Sequence, residues 1–232
     1  MGAPPYSNQS LNQIVDGKRH FDSAWFIWKS LAWLDYAKRN TNITALQYGA
    51  LELRQGVEQL WFEIIRIVGG RRLDIAEYSR CKQNATKMYK VIDRLEPNYQ
   101  KLVRFTNICI CCSLDSRLPR VIEWNMSQLK RIHGEMGSYL HFCGAPNETT
   151  ENPEWFAKAL AAIETGANQI WAHLVADRIG LMRATEMEPE VRHAWEQFKD
   201  GQISEDSVRT RLKLAQPILH DRRVRRQSGT SS

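Results

Sequence analysis

Residues 129–144, LKRIHGEMGSYLHFCG, place an arginine, two histidines and a glutamate in one short segment. Imidazole transfers protons near neutral pH, and a guanidinium stabilises negative charge on a phosphate. The segment therefore contains the side chains that acid–base cleavage of a phosphodiester requires. Whether they can act together depends on which of them share a face of the helix that carries them.

Helical geometry separates Arg131 from His133. At 100° per residue, seven positions fall within an arc of about 80° and form a core-facing stripe: Leu118, Ile122, Met126, Leu129, His133, Met136 and Leu140. We therefore expect His133 to be a buried, neutral imidazole with a hydrogen-bond partner. Arg131 lies on the far side of the helix, where Glu135 at i+4 suits an exposed ion pair.

A second face of the same helix consists of small residues and ends in a histidine. Gly134, Gly137, Ser138 and His141 lie on this face, away from the apolar stripe. Because glycine and serine lower helix propensity, the composition predicts that another backbone packs closely there. That neighbour is either a helix of the same chain or a second protomer, with His141 at the rim of the contact. We refer to these four residues as the small-residue face.

An arginine and a glutamate four residues apart, Arg54 and Glu58, lie in the segment ALELRQGVEQLWFE. With a histidine in a later helix, here His141 in GSYLHF, this segment resembles the HEPN group of small helical bundles over residues 22–142. The resemblance implies an all-α bundle. For members that cut RNA it also implies a dimeric, metal-independent site, in which a histidine transfers protons and an arginine stabilises the phosphate charge.

The nuclease pattern of that group is an arginine followed, after four to six residues, by a histidine. The eligible positions are 134–136 before His141 and 126–128 before His133, and none of them is an arginine. The other four histidines do not fit the pattern either. The sequence therefore predicts a bundle that lacks the usual nuclease arrangement.

Apolar residues recur at helical spacing through most of the chain after residue 20, and no segment shows strand-like alternation. Asp22 or Ser23 is the expected N-cap of the first long helix, and Gly201 is the expected end of the helix before Ser204. The fold class predicted is all-α: a multi-helix bundle with a small C-terminal helical hairpin and a basic, disordered tail. The predicted helices are 22–39, 44–68, 73–95, 98–114, 119–142, 153–182, 189–199 and 204–215.

Four regions follow from this pattern. Residues 1–21 form an N-terminal extension, 22–182 the helical bundle, 183–219 the hairpin and 220–232 the basic tail. The loop at 144–152 suits either a domain boundary or an ordinary connection.

The formal net charge of +6 is unevenly distributed. The tail HDRRVRRQSGTSS contains Arg222, Arg223, Arg225 and Arg226 against a single acidic residue, Asp221. Such a cluster binds nucleic acid by releasing counterions, or it serves only as a solvated terminus. Both interpretations stay open at the level of sequence.

No metal or cofactor is predicted. Cys109 and Cys112 have a CxxC spacing, but the remaining cysteines are too scattered to complete a four-ligand zinc site. Phosphate-binding loops rich in glycine, GxSxG and HExxH are all missing from the sequence. The cysteines are expected to be small, buried, apolar residues.

The sequence predicts a cytoplasmic protein without a membrane partner. Its first residues have neither the basic nor the apolar region of an export signal, and its apolar runs are too short to span a bilayer. Five cysteines is an odd number, which favours reduced thiols.

The predicted function is a non-catalytic helical interaction module that dimerises or docks a protein partner through the small-residue face, Gly134, Gly137, Ser138 and His141. The alternative is a metal-independent endoribonuclease of the HEPN type, with a divergent site formed by His141, Arg54 and Glu58. Nucleic-acid binding through the tail is compatible with either.

Overall fold

The computed structural model describes residues 4–15, 22–69, 76, 79–81, 85–112, 120–141, 152–176 and 187–215. Within these ranges the structure contains helices and no strand, which confirms the predicted all-α, multi-helix fold. The helices are α1 (Leu11–Val15), α2 (Ser23–Asn40), α3 (Ile43–Gly69), α4 (Ala85–Leu95), α5 (Tyr99–Cys111), α6 (Met126–His141), α7 (Pro153–Ala176), α8 (Pro189–Lys199) and α9 (205–215).

The chain forms two compact units. The first consists of Met1–Arg94 and Trp124–Ala176, and the second of Leu95–Glu123 and Asp177–Ser232. This division differs from the predicted boundaries, because residues 95–123 belong with the C-terminal helices and not with the bundle at 22–182. The reason is the apolar face of α5, which packs against α8 and α9.

Helices α2 and α3 form the centre of the first unit and are joined by two residues. The Asp22 carboxylate accepts a hydrogen bond from the Trp25 backbone amide at 2.7 Å, which confirms the predicted cap of α2. Thr41 ends α2 in the left-handed conformation, with φ 46°. The Asn42 side chain then caps α3 by accepting from the Ala45 amide at 2.9 Å.

Glycines in α3 allow α2 to approach closely. A methyl group on Gly56 would lie 2.5 Å from Ile27 Cδ1, and one on Gly49 would lie 2.8 Å from Leu34 Cδ2. The Ser30 hydroxyl donates to the Gly49 carbonyl at 2.8 Å in this tight contact. The sequence therefore fixes the distance between the two helices through residues that lack a side chain.

Helices α6 and α7 complete the first unit by packing on α2 and α3. Of the predicted α6 stripe, Ile122, just before the helix, and Met126, Leu129 and Met136 within it are buried, whereas Leu140 is half-buried. Ile132, which the stripe did not include, is also buried and contacts the position of Gly166 in α7. The buried side of α6 is thus rotated slightly away from His133.

The second unit has its own core. Phe105 of α5 packs against Trp195 of α8 with ring centroids 5.4 Å apart, and Val208 and Leu212 of α9 close the cluster. Gly201, with φ +73°, ends the turn after α8 as predicted, and the Ser204 hydroxyl accepts from the Ser207 amide at 3.2 Å. This core explains why α5 leaves the predicted bundle.

Several predicted features lie outside the described residues. They are the basic tail 220–232 with Arg222, Arg223, Arg225 and Arg226, the loop 144–151, and the side chain of His141. Among the helices that the structure does describe, none combines the length and the apolar character needed to cross a membrane.

Candidate functional site

Helices α3 and α6 bring three polar side chains together at their seam. His133 Nε2 lies 2.7 Å from Glu58 Oε1, and Arg54 Nε donates to the same oxygen at 3.3 Å. We refer to these residues as the Arg54–Glu58–His133 cluster. It joins two helices whose residues here are 75 positions apart in the chain.

The helical spacing of α3 produces one half of this cluster. Arg54 and Glu58 are one turn apart at the edge of the stripe that buries Leu53 and Val57, so both side chains reach the seam while staying partly in solvent. Their side chains are 31% and 32% exposed. His133, at the edge of the buried face of α6, meets them from the other side.

Glu58 is held as a carboxylate. Burial alone raises its pKa, but hydrogen bonding and charge from His133, and then from Arg54, outweigh burial and lower the pKa of Glu58 below the usual range. An ionised Glu58 accepts hydrogen bonds and favours the proton on His133 Nε2. In the neutral imidazole this leaves Nδ1 as the basic nitrogen.

The imidazole of His133 is fixed in position by an indole. The rings of Trp61 and His133 have centroids 5.2 Å apart, and Trp61 is fully buried. With Glu58 on one side and Trp61 against its face, His133 has a side chain only 14% exposed. The prediction of a core-facing imidazole with a hydrogen-bond partner is confirmed, and the partner is Glu58.

Gly137 gives the Arg54 guanidinium its room. A methyl group on Gly137 would lie 3.5 Å from Arg54 Nη1, so the side chain lies across the glycine. Arg54 has no hydrogen-bond partner other than Glu58 among the described residues. Its terminal nitrogens therefore remain available as donors.

The rest of the small-residue face is open in the protomer. No atom of the described residues lies within 4 Å of a methyl group placed on Gly134. Ser138 is exposed and satisfies its hydroxyl locally, by donating to the Glu135 carbonyl at 2.7 Å. Of the two predicted neighbours for this face, a helix of the same chain is not found beside Gly134 within the ranges described.

The structure groups the predicted site residues differently from the sequence. Arg54 and Glu58 do contact each other, but the histidine beside them is His133; the side chain of His141, which we had grouped with them, lies outside the description. The backbone of His141 ends α6 one turn beyond Gly137. Separately, Arg131 and Glu135 form the predicted exposed pair at 2.8 Å.

The signal for His133 was present in the sequence but lacked a partner. A single imidazole on an apolar stripe predicts a buried hydrogen bond, and a charged pair at the edge of a neighbouring stripe supplies one. Nothing in the spacing says that α3 and α6 are adjacent and in this register.

The cysteines of the second unit do not form a reactive pair. Burial raises the pKa of the Cys109 thiol to about 12 and also raises that of Cys112, so thiolates are scarce at neutral pH. No group of three or more metal-ligating side chains occurs in the part of the chain that the structure describes.

Comparison of the chain with protein-family models, with curated proteins and with solved structures finds no match. The function proposed next therefore rests on the residues of this chain alone.

Proposed function

We propose that the protein is a non-catalytic helical interaction module that binds a second copy of itself through the small-residue face of α6. The observation that carries the proposal is the open space around Gly134. A glycine inside an exposed helix costs about 1 kcal/mol relative to alanine. No packing within the described protomer accounts for that cost, whereas close approach of another helix does.

The charges beside the face suit a second copy. Arg131 and Glu135 flank Gly134 on the exposed side of α6, at 59% and 44% exposure of their side chains. In a two-fold pairing of antiparallel α6 helices near Gly134, the arginine of one protomer comes near the glutamate of the other. A surface with one charge of each sign is self-complementary in that arrangement.

The free thiols support a reducing compartment, and we place the module in the cytoplasm. Cys81, Cys109, Cys111 and Cys112 are all free in the structure.

Light scattering on the full chain tests the dimer. We expect a mass twice that of the 26.9 kDa chain for the wild type and the single-chain mass for Gly134→Leu. Leucine at this position meets nothing in the protomer, so the fold should persist while the seam is blocked. Ala157→Leu, an exposed small residue of α7, is the matched control and should remain dimeric.

A wild-type protein that is monomeric at high micromolar concentration would refute the self-association. So would a Gly134→Leu variant that dimerises as well as the wild type. Circular dichroism of both variants shows whether each retains its helices.

A second function is favoured by one specific observation, the assembled Arg54–Glu58–His133 cluster. An imidazole oriented by a carboxylate, beside a guanidinium with unused donors, has the groups needed for metal-independent cleavage of an RNA phosphodiester. In that case Nδ1 of His133 moves the proton, Glu58 orients the ring, and Arg54 stabilises the phosphate charge. His141 is the other candidate for the proton transfer.

Cleavage of RNA in EDTA separates the two functions. A ribonuclease should lose about 100-fold or more in rate with His133→Asn or His141→Ala, whichever histidine acts, and with Arg54→Lys. The interaction module shows no cleavage above that of a mock preparation. Equal rates in wild type and variants indicate a contaminant and exclude the ribonuclease.

A further inference from the structure

The positive charge of this protein is concentrated at one end of the chain. Residues 207–232 contain seven basic residues and one acidic residue and thus carry +6, which equals the formal net charge of the whole chain. The other 206 residues contain 25 of each sign and are neutral. The net charge therefore describes a local feature and not the average surface.

Helix α9 contributes three of these charges from described positions. Arg209 has only Glu205 as an ion-pair partner, at 4.0 Å, and its side chain is 41% exposed. Lys213, one turn further, is exposed and has no partner among the residues described. Arg211 contacts Gln197, which is neutral and leaves the arginine charge unbalanced.

Charge is polarised along α9. Glu205 and Asp206 occupy its first turn, and Arg209, Arg211 and Lys213 follow towards the end from which the tail continues. Arg209 and Lys213 lie on the same side, near the end of α5: the Cys112 thiol is 3.9 Å from the Arg209 carbonyl. Although burial dominates, the charges of both residues also act to lower the pKa of Cys112, in keeping with this placement.

We infer that the C-terminal half of α9, through Arg209, Arg211 and Lys213, together with the arginines of the tail, forms one continuous binding surface for the phosphate backbone of nucleic acid. We refer to it as the α9 basic surface. It is independent of the α6 face, so binding does not require dimerisation.

The choice of basic residue favours phosphate. Six of the seven basic residues in 207–232 are arginines, whereas the remainder of the chain has 15 arginines and 10 lysines. Arginine binds phosphate with two parallel hydrogen bonds, which lysine cannot do. The surface offers one strongly exposed apolar side chain, Leu214, too little to insert into a lipid bilayer.

Binding of fluorescein-labelled polyuridylate to the full chain, measured over a range of salt, tests the inference. Each phosphate contact on a single strand changes the slope of log K against log salt by about −0.7, so seven contacts predict a slope near −5. Arg209→Gln with Lys213→Gln should make the slope shallower by about 1.4. Replacing Arg222, Arg223, Arg225 and Arg226 by glutamine should make it shallower by about 3.

Lys87→Gln with Lys90→Gln is the matched control, since both lysines are exposed on α4 and the change in net charge is the same. It should leave the slope unchanged. Tighter binding to phosphatidylserine vesicles than to polyuridylate, an equal effect of control and test variants, or no salt-dependent binding would each overturn the inference. Equal binding of duplex DNA would support contact with the backbone alone.

Discussion

At the scale of single residues, Glu58 is the pivot of the candidate site. One of its oxygens accepts from both His133 and Arg54, and so links α6 to α3 through one atom. A carboxylate shared in this way is strongly coupled to pH, because protonation removes the acceptor that both donors use.

Glu58→Gln should destabilise the protein by about 1–2 kcal/mol near neutral pH, since it removes a charged hydrogen bond from a partly exposed site. The pKa of Glu58 is lowered in the folded state. Its contribution is therefore present above the ordinary glutamate pKa and is lost as the pH falls through and below it. Urea unfolding at about pH 7 and about pH 3 should show the difference between variant and wild type shrinking in acid.

Glu135→Gln is the control for this measurement. Glu135 pairs with Arg131 at the same i,i+4 spacing on an exposed face. Its removal should change stability by about 0.5 kcal/mol or less at either pH. A Glu58 effect of that size, or one that is constant with pH, would contradict the assigned role.

At the scale of helices, glycine has two different meanings in this chain. In α3 it brings α2 close, and in α6 it leaves a surface uncovered. Sequence alone gives both the same helix-propensity penalty, so only the neighbouring atoms distinguish them.

Alanine substitution should separate the two cases with opposite signs. Gly56→Ala places a methyl group 2.5 Å from Ile27 Cδ1 in a buried contact and should destabilise by about 1–3 kcal/mol. Gly134→Ala meets nothing within 4 Å and should stabilise the monomer by up to about 1 kcal/mol. Chemical denaturation at low protein concentration measures both, and equal signs would show that the helix contact is not as described.

At the scale of the whole molecule, the chain crosses twice between its two units. The second unit takes α5 from the middle of the sequence and α8 and α9 from its end. The helices of this core therefore depend on contacts between segments that are distant in sequence.

A fragment comprising residues 1–182 should keep α3 folded and lose order in α5. Without Trp195 and Val208, the apolar face of α5 has no cover; the packing of one such tryptophan is worth about 3–5 kcal/mol. Hydrogen exchange of the α5 amides should become about 100-fold faster or more than in the full chain. Unchanged protection of α5 would instead support the division predicted from sequence.

Much of the local structure was determined by the sequence itself. Apolar spacing gave the helices, Asp22 and Gly201 marked ends that the structure confirms, and the spacing of Arg131 and Glu135 gave their surface pair. These features depend on residues within one or two turns of each other, where backbone geometry is fixed by the helix.

Only the tertiary structure decided what lies across each seam. It placed His133, and not a residue of the predicted catalytic set, against Glu58; it assigned α5 to the second unit; and it left Gly134 uncovered within the described protomer. The physical reason is that periodicity fixes which face of a helix is buried but carries no record of which other face covers it. That choice depends on how all the apolar surfaces of the chain are buried together.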